Sequence, residues 1–205
     1  MSSTGTKIIQ YITFPANDVF INDRARFAGG LEKIATADGH ISSFWGLQVP
    51  EEGAKMGYLI TVWESAEHHK KFSASSLFET GMETLNQAAS GELTRHQFIG
   101  LRGTPIPGFQ STTTEIVVVK PNAGVSKDTF KNAAYSLGDI FSSHGLPVAL
   151  GKSVNGDDVY GVIIGWPSIS ESRTTVRSEP FASSIGSISS LATLELSHVN
   201  LNRHT

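Results

Sequence analysis

The sequence predicts an α+β chain made of two βαββαβ repeats, and three observations carry that prediction. The first is internal similarity. Tyr58-Leu-Ile-Thr-Val-Trp63-Glu-Ser65 and Gly161-Val-Ile-Ile-Gly-Trp166-Pro-Ser168 align at an offset of 103 residues (166 − 63), and the same offset carries Ser75 onto Ser178 and Phe78 onto Phe181. The second is the order in which β-rich runs and helical apolar stripes alternate, which is the same in both halves. The third is a Pro- and Gly-rich stretch between the halves, Arg102-Gly-Thr-Pro-Ile-Pro-Gly-Phe-Gln-Ser-Thr-Thr-Thr114, which reads as an ordered connector. The expected domains are residues 1–102, a connector over 103–113, and residues 114–205.

In the first half, Lys7-Ile-Ile-Gln-Tyr-Ile-Thr-Phe14 is a β-rich run closed by Pro15, which has no N–H for a ladder. Asn17 or Asp18 then caps a helix whose Phe20, Phe27, Leu31 and Ile34 recur at spacings of 7, 4 and 3, and Asp38-Gly39 ends it. Strands follow over 41–49 and 56–63, joined by the polar turn Pro50-Glu-Glu-Gly53. A helical region from Ser65 to Ala89, broken near 73–76, precedes a fourth strand over 93–101.

The second half repeats that order. Residues 115–120 form a strand, and Ser126 caps a helix with Phe130, Ala134, Leu137 and Phe141 on one face, ended at His144-Gly145. Strands over 147–153 and 159–166 flank Asn155-Gly-Asp-Asp158, whose Asn-Gly pair signals a hairpin. A Ser-rich helix over 171–190 and a strand over 193–201 complete the half. The last strands, Leu93-Thr-Arg-His96-Gln-Phe98 and Leu194-Glu-Leu-Ser-His198-Val199, align with His96 and His198 in register after a one-residue deletion.

A βαββαβ unit of about 100 residues has the ferredoxin-like pattern, an antiparallel four-stranded sheet with helices on one face. Its open face needs cover, and the run 56–63 is apolar on both alternations, as a strand buried on two sides would be. The expected fold is therefore two ferredoxin-like repeats packed as an intrachain α/β barrel. The stretch Val62-Trp63-Glu-Ser-Ala-Glu-His68-His-Lys-Lys-Phe72, followed by Ser76-Leu77-Phe78, resembles the dimeric α/β-barrel superfamily, in particular antibiotic-biosynthesis-monooxygenase (ABM)-like domains. The likeness covers most of each half and is tight only in the first; the second keeps Trp166, Ser168 and Phe181 and lacks the Glu-x-His.

That resemblance implies cofactor-free monooxygenases of aromatic polyketides, haem-degrading oxygenases, cyclases, lyases or isomerases, and members of the superfamily also include proteins without known activity, so fold does not give function. Haem-degrading members carry an iron-binding His after the Phe78 equivalent. Here Glu79-Thr-Gly-Met-Glu-Thr-Leu85 follows, without His, and the Met82 thioether is a poor substitute. The stress-responsive barrel pattern, a Tyr with His-x-x-His, is not matched. No cofactor and no metal are expected.

Composition narrows the partners. With 16 Lys+Arg against 19 Asp+Glu, a net charge of −3 and no basic run beyond Lys70-Lys71, the chain lacks the basic face of a nucleic-acid binder. It has no cysteine, which removes disulfides, thiolate metal sites and cysteine nucleophiles and leaves His and Tyr as acid–base groups. Met1-Ser-Ser-Thr-Gly-Thr-Lys7 has no basic segment leading into a long apolar run, so the expectation is a cytoplasmic protein that does not engage membranes. No Gly-x-x-x-x-Gly-Lys-Ser/Thr or Gly-x-Ser-x-Gly motif is present.

The candidate catalytic residues are His96 and His198, which two facing halves could turn toward one cavity, and Tyr58, which could polarise a carbonyl. Tyr11, Trp63, Trp166 and Phe98 are candidate substrate contacts. His68-His69 read as a solvated helix face, and His40 and His144 as complements to helix ends. The expectation is a cofactor-independent enzyme, a monooxygenase or a cyclase or isomerase, acting on an apolar aromatic or polyketide-like carbonyl compound. The alternative is a non-catalytic barrel that binds a hydrophobic ligand or serves in stress. Association into a homodimer stays open.

Overall fold

A computed structural model describes residues 7–203; residues 1–6, read above for a leader, and residues 204–205 lie outside that range. The chain forms two compact units. One runs to residue 99 and takes back the chain from residue 200 onward, and the other covers 100–199.

The first unit contains β1 (Ile8–Pro15), α1 (Asp18–Asn22), α2 (Ala28–Glu32), β2 (His40–Gln48), β3 (Met56–Trp63), α3 (Ala66–Ser73), α4 (Ser76–Ala88) and most of β4 (Thr94–Gly103). Within it β3 pairs antiparallel with β1 and β2, and β4 with the other edge of β1. Asn17 is the helix cap, its side chain accepting from the Phe20 N–H at 3.0 Å. The single helix expected from there to residue 38 is instead four pieces, α1 and α2 each followed by a 3-10 turn, Arg24–Phe27 and Lys33–Thr36. Asp23 leaves the helical region (φ −141, ψ 65), and Gly29-Gly30 weaken the helical stretch beyond it. The stripe is nevertheless turned inward, since Phe20, Phe27, Leu31 and Ile34 are all buried. The break between α3 and α4 falls where the sequence places it, and Ser65 and Ser75 cap the two helices.

Alternate residues of β1 (Ile8, Ile12, Phe14) join Trp45, Leu59, Trp63 and the helix stripe in one core cluster. Tyr11, Phe44, Tyr58, Ile60 and Phe98, on the opposite face, are buried as well. The two-sided burial read from residues 56–63 is observed. Gly57 stands opposite Phe14 in the ladder because the Phe14 ring fills the place of its missing side chain; an added Cβ would collide with that ring.

The second unit contains α5 (Pro105–Phe109), β5 (Thr113–Pro121), α6 (Lys127–Ser143), β6 (Val148–Ser153), β7 (Tyr160–Trp166), α7 (Ile169–Thr175), α8 (Phe181–Leu191) and most of β8 (Ala192–Arg203). β7 pairs antiparallel with β5 and β6, and β8 with the other edge of β5. The connector holds an element the sequence did not suggest. Pro105 opens α5, a position where its missing N–H costs nothing, and Phe109 is buried beneath it. The Ser-rich helix is two helices, divided before Pro180, which cannot continue an α-helical ladder. In hydrogen-bonding order the strands run β1-β3-β2-β8-β5-β7-β6-β4 and close as a barrel.

Candidate functional site

The ladders define which positions of the two units correspond. Ile8 stands opposite Trp63 and Thr113 opposite Trp166, so Gln10 and Glu115 occupy the same place two residues on. Gln10 faces Gln97, while Glu115 faces His198. His198 therefore corresponds to Gln97 and not to His96, which corrects the register read from the sequence. A slip of one residue moves a strand side chain to the other face of its sheet. His96 lies on the face that turns away from the helices of its unit, beside Tyr11, and His198 on the face that turns toward α7.

In the second unit four side chains converge. The Trp166 indole N–H donates to Glu115 Oε2 at 2.8 Å, and Ser172 Oγ donates to the same oxygen at 3.3 Å. His198 Nε2 lies 3.3 Å from that oxygen and 2.9 Å from Ser172 Oγ. Since Ser172 gives its one proton to Glu115, it accepts from His198, and Nε2 carries the imidazole proton. Glu115 is 4% exposed and His198 5%. The serine and the carboxylate meet the same imidazole nitrogen, so this is no nucleophile–base–acid relay, which needs the two on opposite ring nitrogens. What the cluster provides is a buried carboxylate held by two donors, Trp166 and Ser172, with the His198 imidazole beside it and bonded to Ser172. Ser168, the cap of α7, sets the position of Ser172 by starting the helix at Ile169.

The corresponding cluster in the first unit is neutral. Gln97 Nε2 donates to Gln10 Oε1 at 2.9 Å and lies 3.2 Å from His69 Nδ1, and Trp63 Nε1 donates to Thr61 Oγ1 at 2.8 Å. His69 occupies the place of Ser172, at the 103-residue offset. It is 4% exposed and packs edge-on against Trp63, so the solvated face expected for it is overturned: the helix turns this residue toward the sheet and only His68 outward, near Asp38. Burial lowers the pKa of His69, and likewise that of His40, which packs on Trp63 beside Ser43. With Nδ1 facing the Gln97 amide, His69 Nε2 is buried without a hydrogen-bond partner. His144 is at the C-terminus of α6, Nδ1 2.8 Å from the Ile140 carbonyl, in keeping with its expected role.

A cavity of about 280 Å³ opens in the second unit between its sheet and helices α6 and α8, with Val117, Val119, Phe130, Leu150, Val162 and Ile188 among its walls. Glu115 is part of the wall; Arg102 and Tyr135 are the other long polar side chains on it. Substitution between the units explains the space. By ladder register Trp45 corresponds to Leu150, and by the offset Phe72 corresponds to Thr175. In the first unit those two aromatic rings fill the core, Phe72 stacking on Trp63 at 4.5 Å.

The residues named from sequence divide between places. Tyr11, Tyr58, His96 and Phe98 do come together, with ring centroids 6.1 Å apart for Tyr11 and Tyr58, 6.0 Å for Tyr11 and His96, and 5.7 Å for His96 and Phe98. Trp63 and Trp166 are fully buried under the helices, and Trp166 acts through its N–H on Glu115. Glu115 and Ser172 escaped notice in the sequence. The signal for Glu115 was a carboxylate inside the apolar run Thr114-Glu-Ile-Val-Val-Val119, where only a paired charge is tolerated.

The ABM-like resemblance brings haem into question; among the described residues the cavity wall offers no imidazole, thiolate or thioether to ligate iron, and its one phenol, Tyr135, lies under the Arg102 guanidinium. Among the described residues no three His, Asp or Glu side chains are placed to share a metal ion, and no helix is long and apolar enough to cross a membrane.

No protein-family model and no curated protein matches the chain in sequence. Solved structures match it along almost its whole length. A protein of Lactobacillus acidophilus, provisionally described as a monooxygenase, superposes with a TM-score of 0.67 at 13% identity, over 98% of this chain and 95% of the other. An anthrone oxidase-like protein gives 0.69 at 12% identity, over 98% and 94%. A mutant chlorite dismutase from Candidatus Nitrospira defluvii gives 0.57 at 9% identity, over 94% and 90%. At such identities the likeness is one of fold: the chain is an α+β protein that shares the dimeric α/β-barrel fold of these structures.

Proposed function

We propose that this protein is a cofactor-independent enzyme that moves a proton on an apolar, aromatic carbonyl compound bound in the cavity of the second unit. The observation that carries the reading is Glu115, a buried carboxylate on the wall of a mainly apolar cavity. The cavity is near the small end of ligand sites, a size for a fused-ring molecule. Glu115 takes a proton from a carbon made acidic by an adjacent ring carbonyl, and the electron pair passes to the carbonyl oxygen as an enolate. Trp166, Ser172 and His198 hold the carboxylate in one orientation, so no reorganisation is needed at the moment of transfer.

The enolate then takes one of two courses. Dioxygen oxidises an activated methylene to a carbonyl, one oxygen atom remaining in the product and the other leaving as water with the two methylene hydrogens, or an electrophile in the same molecule is attacked and a ring closes. The described monooxygenase and anthrone oxidase-like character of the structural neighbours favours the first.

Anthrone is a suitable probe. In deuterated buffer under nitrogen, the protein should accelerate exchange of the anthrone methylene hydrogens followed by proton NMR, and Glu115→Gln should return the rate to that of buffer. In air the same mixture should consume dioxygen. Binding without exchange would replace this reading by ligand carriage, and neither binding nor exchange would remove the cavity as the site.

A further inference from the structure

We infer that Arg102 reads an acidic substituent on the ligand, so that the preferred ligand is a fused-ring carbonyl compound carrying a carboxylate or phenolate at the end remote from the carbon that Glu115 approaches. This rests on the placement of the ligand in the second unit's cavity, and adds to it a residue and a chemical class.

Arg102 and Glu115 are both on the cavity wall and carry the opposite charges there. Glu115 is on β5 and Arg102 near the end of β4, which comes after β7 and β6 in the strand order, so their backbones are three strand spacings apart, about 14 Å. Between them the wall is made by Val148, Leu150, Val162 and Ile164. A ligand that touches both ends is therefore elongated, with an apolar middle, as a fused-ring system is.

The guanidinium is fixed in place. Its Nη1 donates to the Tyr135 carbonyl at 3.2 Å, its Nη2 pairs with the Asp139 carboxylate, and its carbon sits 5.2 Å above the centre of the Tyr135 ring. Behind it, Gly103 has a positive φ of 71° and packs so closely on the Val148 carbonyl that a side chain there would collide with it. These contacts use two of the five guanidinium donors in a fixed fork, which leaves donors for a planar carboxylate. They also explain the stretch Tyr135-Ser-Leu-Gly-Asp139 on α6: one turn of helix supplies a carbonyl, a ring and a counter-charge to one arginine.

Asp139 competes with the ligand for that charge, so two substitutions should act in opposite directions. The probes are anthracene-2-carboxylate and its neutral carboxamide, with affinity read from their fluorescence on the full chain. For the carboxylate, Arg102→Gln should weaken binding about tenfold, the loss of one charge-assisted contact, and Asp139→Asn should tighten it several-fold. The carboxamide should be indifferent to both, which also reports that each variant keeps its site. If Arg102→Gln leaves the carboxylate as tight as before, or weakens both probes alike, Arg102 is structural and the inference falls while the cavity stands. If neither probe binds the unsubstituted chain, the cavity itself falls as the ligand site.

Discussion

His198 stands opposite Glu115 across the β5–β8 ladder, its Nε2 3.3 Å from the carboxylate Oε2, where the first unit places Gln97 opposite Gln10. The same position in the two units thus carries an ionisable pair in one and two amides in the other. A neutral amide pair can share hydrogen bonds but offers no carboxylate, so under the proposed function Glu115, and not this amide pair, is the base.

Removing one member of the pair should separate its two roles. Glu115→Gln copies the amide of the first unit and should lower proton transfer by about 10²- to 10⁴-fold with little change in urea midpoint. His198→Ala removes the imidazole beside a buried carboxylate and should cost about 3 kcal/mol, the low end for a broken buried pair because Trp166 and Ser172 still donate. His198→Gln should recover part of that loss. Equal stability of the alanine variant and the wild type would show that the pair is not coupled to folding.

Stability should depend on pH through the buried imidazoles. His69 and His40 have pKa values lowered from 6.5 by burial. Above pH 6.5 the folded and unfolded chains both hold them neutral. As the pH falls below 6.5 the unfolded chain takes up protons that the folded one refuses, and stability declines by at most about 1.4 kcal/mol per pH unit for each imidazole. His69→Gln should make the decline between pH 6.5 and about 5 shallower, as read from urea midpoints at each pH. An unchanged slope would assign the acid sensitivity elsewhere.

The cavity should close when the aromatic residue of the first unit is restored. Leu150→Trp copies Trp45 and should abolish binding of a fused-ring probe, with a native circular dichroism spectrum. The converse change, Trp45→Leu, should open a void in a filled core and cost about 3 kcal/mol. Retained probe affinity in Leu150→Trp would move the ligand out of this cavity.

Gly57 and Phe14 should behave as one packing unit. Gly57→Ala drives a methyl into the Phe14 ring and should cost about 1 to 3 kcal/mol. Phe14→Val, the residue that stands opposite Tyr160 in the second unit as Val119, should relieve most of that clash, giving a double-mutant coupling of about 1 kcal/mol or more. Additive losses would show that the clash is absorbed elsewhere.

Local signals in the sequence were enough for the order of elements in each half. Period-two and helical stripes mark them, and Ser65, Ser75, Ser126 and Ser168 cap the helices they precede. The Trp63–Ser65 and Trp166–Ser168 pairs were legible because a strand end and a helix cap are both short-range features. So was the two-sided burial of β3, which needs only its own composition.

The site was not legible in the same way, because it depends on register. Side chains alternate along a strand, so a one-residue difference in pairing decides that His198 meets Glu115 while His96 meets Tyr11. That pairing is set by contacts between segments 83 residues apart, far outside any local pattern (198 − 115). The cavity likewise depends on position: Leu150 lines it where the core of the first unit holds Trp45, a difference that matters only when the facing helices are in place. The sequence by itself determined the order of strands and helical regions in each half, though not α5 or where the first and last helical regions break; the tertiary structure alone decided which side chains face each other, because burial and ladder pairing act across the whole fold.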